Sequence, residues 1–346
     1  MFDHPSFDAH EGVHMFHDAA SGLRAIIAVH STARGPAAGG TRMWNYETGE
    51  AHLTDVLRLS QGMSYKNAMA DIPFGGGKAV IWGSSKTDKS EDLFRAFGRA
   101  VDSLQGKYYT AEDVGIDVAD MEIVREETKF VAGLDKGVAA SGDPSPVTAL
   151  GVYLGIREAA KRAFGSDDLT GKKIAVQGGG SVGGYTCDYL AEAGAELYIT
   201  DIDQDALEGV AGRTGAHIVA PDEIFQVEAD VFSPNALGAM VNPKTIDQFT
   251  VKVIAGGANN QLATPEMGEA LRQRGILYAP DYVINGGGII NIASELSGSY
   301  SREWVDGKIA VLMETLGEVL DTALSDGLPT SVVADKIARQ RIAMAS

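Results

Sequence analysis

The stretch Lys173-Ile-Ala-Val-Gln-Gly-Gly-Gly-Ser-Val-Gly183 decides how the rest of the chain is read. Ile174, Ala175 and Val176 form a short apolar run that predicts a buried strand. Gly178, Gly180 and Gly183 follow at G-x-G-x-x-G spacing, with Gly179, Ser181 and Val182 between them, and Tyr185 to Ala193 reads as a helix. The first glycine allows a tight turn, the second lets a pyrophosphate approach the backbone, and the third lets helix pack on strand. The helix N-terminus adds free N–H groups and a positive dipole end for the phosphates. A second apolar run, Glu196 to Thr200, ends in Asp201, about twenty residues beyond the glycines, where a ribose-binding acid belongs. Strand, glycines, helix, strand and acid in that order predict dinucleotide binding. A glycine-rich surface turn would leave the order unexplained.

A chain of 346 residues is long for one core and suits two domains. Its 45% hydrophobic content is ordinary for a soluble globular protein, and no window approaches the ~20 apolar residues that cross a bilayer. The start, Met-Phe-Asp-His-Pro, carries neither a basic nor an apolar leader segment, so cytoplasm is the expected compartment. The single cysteine, Cys187, can form no intramolecular disulfide, and its place in the helix after the glycines suggests packing. The net charge of −18 opposes nucleic acid and anionic membranes as general partners.

Residues 12 to 31 predict a β-hairpin, Val13 to His17 and Leu23 to His30 around the turn Asp18 to Gly22. His10-Glu-Gly-Val-His14 matches the zinc-protease pattern H-E-x-x-H, which needs both histidines on one helix face. Gly12 and the strand that follows argue instead for ordinary strand and loop histidines. Gly35-Pro-Ala-Ala-Gly-Gly-Thr-Arg42 reads as a loop whose adjacent glycines form a bend or let a ligand lie against the main chain. Thr54 is expected to cap a helix running to about Ala70, with Val56, Leu57, Leu59 and Met63 on its apolar side. Lys66 lies one turn beyond Met63 on the same face, where a lysine usually snorkels to solvent. Pro73-Phe-Gly-Gly-Gly-Lys78 then leads into the strand Ala79 to Trp82. It is not a Walker loop, because Ile72 stands where the first glycine belongs and Ala79 where Ser or Thr would hold magnesium. Burial at Lys78 would make the lysine a usable acid–base group. Further on, a helix is expected over roughly Ser90 to Leu104, a strand over Tyr108 to Thr110 ending in Glu112 and Asp113, and a helix from Gly115 to Phe130. Val131 to Gly142 reads as the domain crossing. Ser141-Gly-Asp-Pro-Ser-Pro146 starts a helix to about Phe164, with Ser145 as N-cap and Thr148 in the first turn. Strands at Ala229 to Ser233, Val251 to Ala255 and Ile276 to Ala279 complete an open, mostly parallel sheet. Ligands sit beyond the carboxyl ends of such strands, which places Pro234 to Ala236, Gly257 to Asn260 and Asn285 to Gly288 around the dinucleotide. Ile289 to Ser294 begins a long helical region, and amphipathic helix follows Ile309.

Taken together, Gly35–Arg42, Met63-Ser-Tyr-Lys-Asn-Ala68, Pro73–Lys78, Tyr109-Thr-Ala-Glu-Asp113, Ser141–Pro146, Ala258-Asn-Asn260 and Tyr282-Val-Ile-Asn-Gly-Gly-Gly288 resemble the leucine, phenylalanine and valine dehydrogenases, relatives of glutamate dehydrogenase. The motifs stand in the family's order from about residue 12 to 300. The resemblance implies an α/β protein of two domains separated by a cleft. The N-terminal substrate and oligomerisation domain would span 1–138, and a doubly wound Rossmann-type NAD-binding domain 139–325, with the C-terminal helix at about 326–346 free to pack back on the first. It implies Lys78 as catalytic lysine, its pKa lowered by a closed site shared with Lys66, and Asp113 as proton relay. Lys66 with the backbone at Gly39 and Gly40 would hold the substrate α-carboxylate, and Met63, Ala38, Ala111, Ile289 and Ile292 would line the side-chain pocket. Beside the glycine loop and Asp201, the cofactor residues would include Thr148, Ala236, Asn259 and Asn285. The reaction implied is NAD-dependent oxidative deamination of an amino acid to a 2-oxo acid and ammonia, with no metal. Relatives form homo-oligomers, and an intersubunit sheet through the N-terminal hairpin would be one route.

Glutamate dehydrogenases carry a lysine where this chain has Ala38, so a glutamate side chain would stay unpaired in a closed site. Ile289 and Ile292 are apolar too, which points to leucine, valine and isoleucine, with phenylalanine second because aromatic-specific relatives tend to have Ala at the position of Ala38. Asp201, with no arginine close behind, favours NAD over NADP. Two departures from the family lie near the expected nicotinamide: Asn235 stands in place of a common cysteine and Gly286 in place of a common alanine. The competing readings are a non-catalytic NAD-binding sensor and the zinc hydrolase of His10 and His14.

Overall fold

The computed structural model describes residues 2–134, 143–297 and 300–345. The crossing expected at Val131 to Gly142 lies for the most part outside the described residues, as do Ser141 and Gly142 of the helix-start motif. The chain forms two compact units, Met1–Asp143 with Asn291–Val305 and Ala338–Ser346, and Pro144–Ile290 with Asp306–Ile337.

The first unit begins with the expected hairpin, β1 (Gly12–Asp18) antiparallel to β2 (Leu23–Ser31). The predicted loop at Gly35–Arg42 is instead two short strands, β3 (Ala37–Ala38) and β4 (Thr41–Trp44), broken at Gly39 and Gly40. Both pair in parallel with β5 (Gly75–Trp82) after the helix α1 (Gly49–Met69), so the run was misread because its partner lies thirty-odd residues away. α1 starts earlier than expected. Thr48 is the cap, its hydroxyl accepting from the Ala51 N–H at 3.1 Å, while Thr54 sits inside the helix with its hydroxyl 3.3 Å from His4 Nε2. α2 (Glu91–Asp102) follows Ser90, which caps it, and β6 (Tyr108–Tyr109) pairs with β3. α3 (Val118–Glu127) is shorter than predicted because Asp117 and Asp120 form a capping box at its start. The sheet order is β1-β2-β5-β3-β6, with β4 also on β5. Strand β2 is apolar from Ala25 to Val29 because both faces are covered: Ala25, Ile27 and Val29 join the cluster of Phe94, Phe97 and Met121, while Ile26 and Ala28 join Val56 and Leu57 of α1.

In the second unit α4 (Ser145–Phe164) precedes β7 (Lys173–Gln177). Pro144 occupies the cap position expected for Ser145, which is the first helical residue. Next come α5 (Ser181–Glu192), β8 (Glu196–Thr200), α6 (Gln204–Thr214), β9 (His217–Ile218), β10 (Val231–Pro234) and β11 (Val253–Ile254). α7 (Glu266–Gln273), β12 (Leu277–Tyr278) and α8 (Asp281–Ile284) follow. α5 begins four residues before the expected Tyr185, because the poor helix formers Gly183 and Gly184 hide its first turn. The six strands are parallel in the order β12-β11-β10-β7-β8-β9. Strand order therefore reverses between β7 and β10, the switch point at which doubly wound sheets bind ligands. Cys187 is packed in α5, where burial pushes its thiol up to about 12. Helices α9 (Gly287–Leu296), α10 (Arg302–Asp326) and α11 (Thr330–Ala343) end the chain, and the unit boundary falls within each of them. Among the described residues no helix is long and apolar enough to cross a membrane.

Candidate active site

In the first unit the glycines before Lys78 are not a loop delivering a lysine to a strand; they are the strand. A β-carbon on Gly75 would lie 2.0 Å from the Ser31 carbonyl oxygen, and one on Gly76 2.0 Å from the backbone nitrogen of Ser64 in α1. One on Gly77 would meet the Tyr108 ring at 2.8 Å. The glycines thus let α1 and the neighbouring strands close on β5, and Lys78 emerges from that packed stretch only 5% exposed. Its Nζ lies 2.9 Å from Asp113 Oδ2. Asp113 follows Glu112, which bridges to Thr41 beside β4. Burial pushes the Asp113 carboxyl up, but the cations of Lys78 and then Arg42 outweigh it, and the carboxyl sits below the usual aspartate value.

Arg42 went unassigned in the sequence although it ends a motif singled out there. Its Nε lies 3.2 Å from the same Asp113 oxygen. Another guanidinium nitrogen donates to both oxygens of Asp55 at 3.0 and 3.3 Å, and the Tyr46 hydroxyl donates to Asp55 at 2.6 Å. Register explains the meeting. Arg42 stands opposite Val80 on β5, so it shares a sheet face with Lys78, and Val80 packs with Val56 and Leu57 of α1 on that face. Asp55 and Lys66 lie eleven residues apart on α1, about three turns and ~16 Å along one stripe.

Lys66 occupies the last turn of α1, half-buried, and Met63 on its face lies 3.0 Å from where a Gly39 β-carbon would be. The close approaches at the glycine pair are to backbone: the Gly77 carbonyl oxygen for Gly39 at 2.0 Å, the Glu112 carbonyl oxygen for Gly40 at 2.4 Å. Gly39 also donates its N–H to the Tyr109 carbonyl at 3.1 Å, so its part is to let strands and Met63 close in. Ala38 and Ala111 are buried on either side of this strand pair, 2% and 6% exposed. Asn67, also missed in the sequence, donates to the Gly75 carbonyl at 2.6 Å and ties α1 to the start of β5. Ile289 is buried and Ile292 half-buried, three residues apart on α9.

In the second unit the glycine loop joins β7 to α5. Gly178 has φ +104°, a conformation that favours glycine, and its β-carbon would come within 3.0 Å of Ala236 and Asn235. Gly183 lies against the Gly178 carbonyl, 2.0 Å from where its β-carbon would be, whereas Gly180 faces open space. Gly180 caps α5 without a side-chain hydrogen bond, so Ser181, Val182 and Gly183 open the helix with their N–H groups uncapped by any side chain. Asp201, one residue past β8, accepts from the Gly179 N–H and, at 2.9 Å, from the Asp203 N–H. The three segments expected around the dinucleotide are joined. Asn235 Oδ1 accepts from the Gly257 N–H at 2.8 Å, and the Asn285 amide donates to Asn259 Oδ1 at 2.8 Å and to the Gly257 carbonyl at 3.1 Å. Thr148 touches the same group, its hydroxyl 2.8 Å from where a Gly288 β-carbon would lie. The buried Asn285 Oδ1 has no hydrogen-bond partner, as fits an amide set to meet a bound group. These residues fit a dinucleotide: an uncapped helix start, an open glycine and an acid at the next strand end. The departures from the family are also accounted for. Asn235 cross-links the ends of β10 and β11, and a β-carbon on Gly286 would press on Leu312 at 3.0 Å.

The two histidines of the H-E-x-x-H match do not share a helix. His14 lies in β1, and His10 Nε2 is 3.0 Å from both the Leu57 carbonyl and the Ser60 hydroxyl.

Comparison with known proteins agrees with this arrangement. Residues 9–130 match the family model of the Glu/Leu/Phe/Val dehydrogenase dimerisation domain, and residues 199–346 that of the glutamate/leucine/phenylalanine/valine dehydrogenases. A leucine dehydrogenase of Bacillus cereus is 51% identical over 334 residues, covering 96% of this chain and 91% of the relative. A phenylalanine dehydrogenase of Bacillus thermotolerans is 45% identical, covering 96% and 88%. The crystal structure of L-tryptophan dehydrogenase from Nostoc punctiforme superposes with a TM-score of 0.86 at 42% identity, covering 97% of each chain. The chain is an amino-acid dehydrogenase of the glutamate/leucine/phenylalanine/valine dehydrogenase family.

Proposed function

We propose that the enzyme catalyses the reversible, NAD-dependent oxidative deamination of apolar L-amino acids, first those of the leucine, valine and isoleucine type, to 2-oxo acids and ammonia. The observation that carries this reading is the pair of buried Lys78 and half-buried Asp113, 2.9 Å apart, with Lys78 on the sheet face that α1 covers. NAD, when bound by the glycine loop, Asp201 and the Asn259–Asn285 pair, supplies the acceptor for the hydride that leaves Cα. The protein's own groups do the rest. Lys66 neutralises the substrate α-carboxylate, with the backbone at Gly40 beside it and Gly39 shaping the approach. Asp113 takes a proton from the α-ammonium, so that the lone pair of the neutral nitrogen forms the imine as hydride leaves Cα. Lys78, in its amine form, deprotonates the water that adds to the imine carbon. Asp113 returns a proton to the nitrogen; the carbinol hydroxyl then gives its proton to the freed Asp113 carboxylate as the C–N bond breaks, leaving ammonia and the 2-oxo acid, and Lys78 and Asp113 release their protons to solvent.

For the side-chain pocket, Ala38 leaves no cation for a glutamate carboxylate, and Ala111, Ile289 and Ile292 offer only apolar surface. A few methylenes discriminate by only ~1–3 kcal/mol, so activity should spread over several apolar substrates. The acidic composition and the buried lone cysteine support a cytoplasmic reading. β1, at the edge of its sheet, supports self-association through the N-terminal hairpin. The test is NADH formation with leucine, valine, phenylalanine, methionine and glutamate under saturating NAD. Leucine or valine is expected to give the highest kcat/KM; glutamate as best substrate would overturn the Ala38 argument.

A further inference from the structure

Lys78 lies in β5 and Asp113 just past the bridge residue Glu112, and the Asp113 carboxylate meets Lys78 and the Val114 backbone N–H. The residue that touches it from the third side is Arg42. Its guanidinium is itself held: Nε reaches Asp113, another nitrogen reaches both oxygens of Asp55, and Tyr46 fixes Asp55 from beyond. A planar guanidinium presents its donors in a rigid fork, so bonds to two carboxylates at once set its position in a way that a lysine ammonium cannot. The order along the network is Tyr46–Asp55–Arg42–Asp113–Lys78; it begins just before α1, passes through Asp55 of α1 and ends in β5.

We propose that Arg42 is the positioning residue of the catalytic pair: clamped by Asp55 and Tyr46, it fixes the Asp113 carboxylate against Lys78, ready to take and return the proton of the substrate nitrogen. The inference rests on the function proposed above. During turnover the charge on Lys78 changes, and a carboxylate held by that cation alone would lose its partner when the lysine is neutral. Arg42 is a permanent cation on the same oxygen, so the Asp113 carboxyl keeps a partner and its aim at the reacting nitrogen in both states of Lys78. Tyr46 and the buried Tyr108, whose hydroxyl donates to the Gly39 carbonyl at 2.6 Å, also act on Asp113. Both phenols are raised, first by burial, and stay neutral. Arg42 is, after Lys78, one of the cations that hold the Asp113 carboxyl below its usual value, and its removal raises that carboxyl.

The experiment compares wild type with Arg42→Gln, Arg42→Lys and Asp55→Asn by two readouts. In the pH profile of kcat/KM for leucine oxidation, Arg42→Gln should move the acidic limb upward by about one pH unit. Its kcat should fall about tenfold to a hundredfold, with KM for leucine changed far less. Arg42→Lys should restore the limb but not kcat, and Asp55→Asn, which keeps the cation but frees it, should lower kcat without raising the limb. The second readout needs no turnover: the carbon-13 carboxyl signal of Asp113, identified by its loss in Asp113→Asn, should titrate at higher pH in Arg42→Gln than in wild type or Arg42→Lys. A folded Arg42→Gln protein with unmoved titration and unmoved limb overturns the assignment. Should Arg42→Gln not fold, wild-type kcat in Asp55→Asn overturns it. A wild-type protein inactive on every apolar amino acid defeats the proposed function instead, and the carboxyl titration still decides the role of Arg42.

Discussion

Gly75–Gly77 and Gly178–Gly183 are both glycine runs at the hinge between an apolar strand and something functional, and their surroundings differ in kind. In the first, a β-carbon on any of the three residues would run into protein within 2.0–2.8 Å: the Ser31 carbonyl, the Ser64 backbone, the Tyr108 ring. In the second, Gly178 is met by Asn235 and Ala236 beyond β10 and Gly183 by the loop's own Gly178 carbonyl, but Gly180 has nothing within 4 Å. The first run is closed so that a helix and a strand can seat a buried lysine. The second keeps one position open at an uncapped helix start. A glycine run thus reports that something must come near the backbone, and the fold decides whether that is another part of the chain or a ligand.

The comparison breaks most visibly at Gly76. Alanine there would place its β-carbon 2.0 Å from a backbone atom of α1, which cannot swing away as a side chain could. We expect Gly76→Ala to cost on the order of 3–5 kcal/mol, or to prevent folding of the first unit, measured by urea denaturation. A loss below about 1 kcal/mol would mean that α1 does not sit against β5 as described. A smaller effect, on binding rather than folding, is expected at Gly180. Its φ of −64° suits any residue and its surroundings are open, so Gly180→Ala should change stability by less than about 1 kcal/mol. The same β-carbon would stand where pyrophosphate must approach, and NAD affinity by calorimetry should fall at least about tenfold. Unchanged affinity would remove Gly180 from the cofactor site.

The same contrast explains what could be read from the residues alone. The nucleotide-binding half was legible because its signals are local: Ile174–Val176, the glycines, the helix and Asp201 follow one another within about thirty residues and need no distant partner to be recognised. In the first unit the hairpin and the first two helices were legible from pattern, but the site was legible only through its resemblance to a family. Residues 35–42 looked like a loop, and become strands only beside β5 and β6. Arg42 and Asp55 were passed over for a related reason. An arginine after two glycines and an aspartate on a helix are each ordinary, and only the register that sets Arg42 opposite Val80, together with α1 lying over that face, brings them to Asp113. Helix starts were displaced where the capping side chain was not the nearest hydroxyl, as at Thr48, or where glycines fill the first turn, as in α5.

If the closed run exists to hold chemistry and the open run to hold the hydride acceptor, the two can be separated at Lys78. The measurement is kcat for leucine oxidation and the Kd for NAD, by fluorescence titration, in Lys78→Ala. Turnover should fall by about 10²–10⁴-fold while the Kd for NAD stays within about threefold of wild type. Turnover close to wild type in that variant would contradict the role of Lys78 and, with it, the account of the first unit as the seat of the reaction.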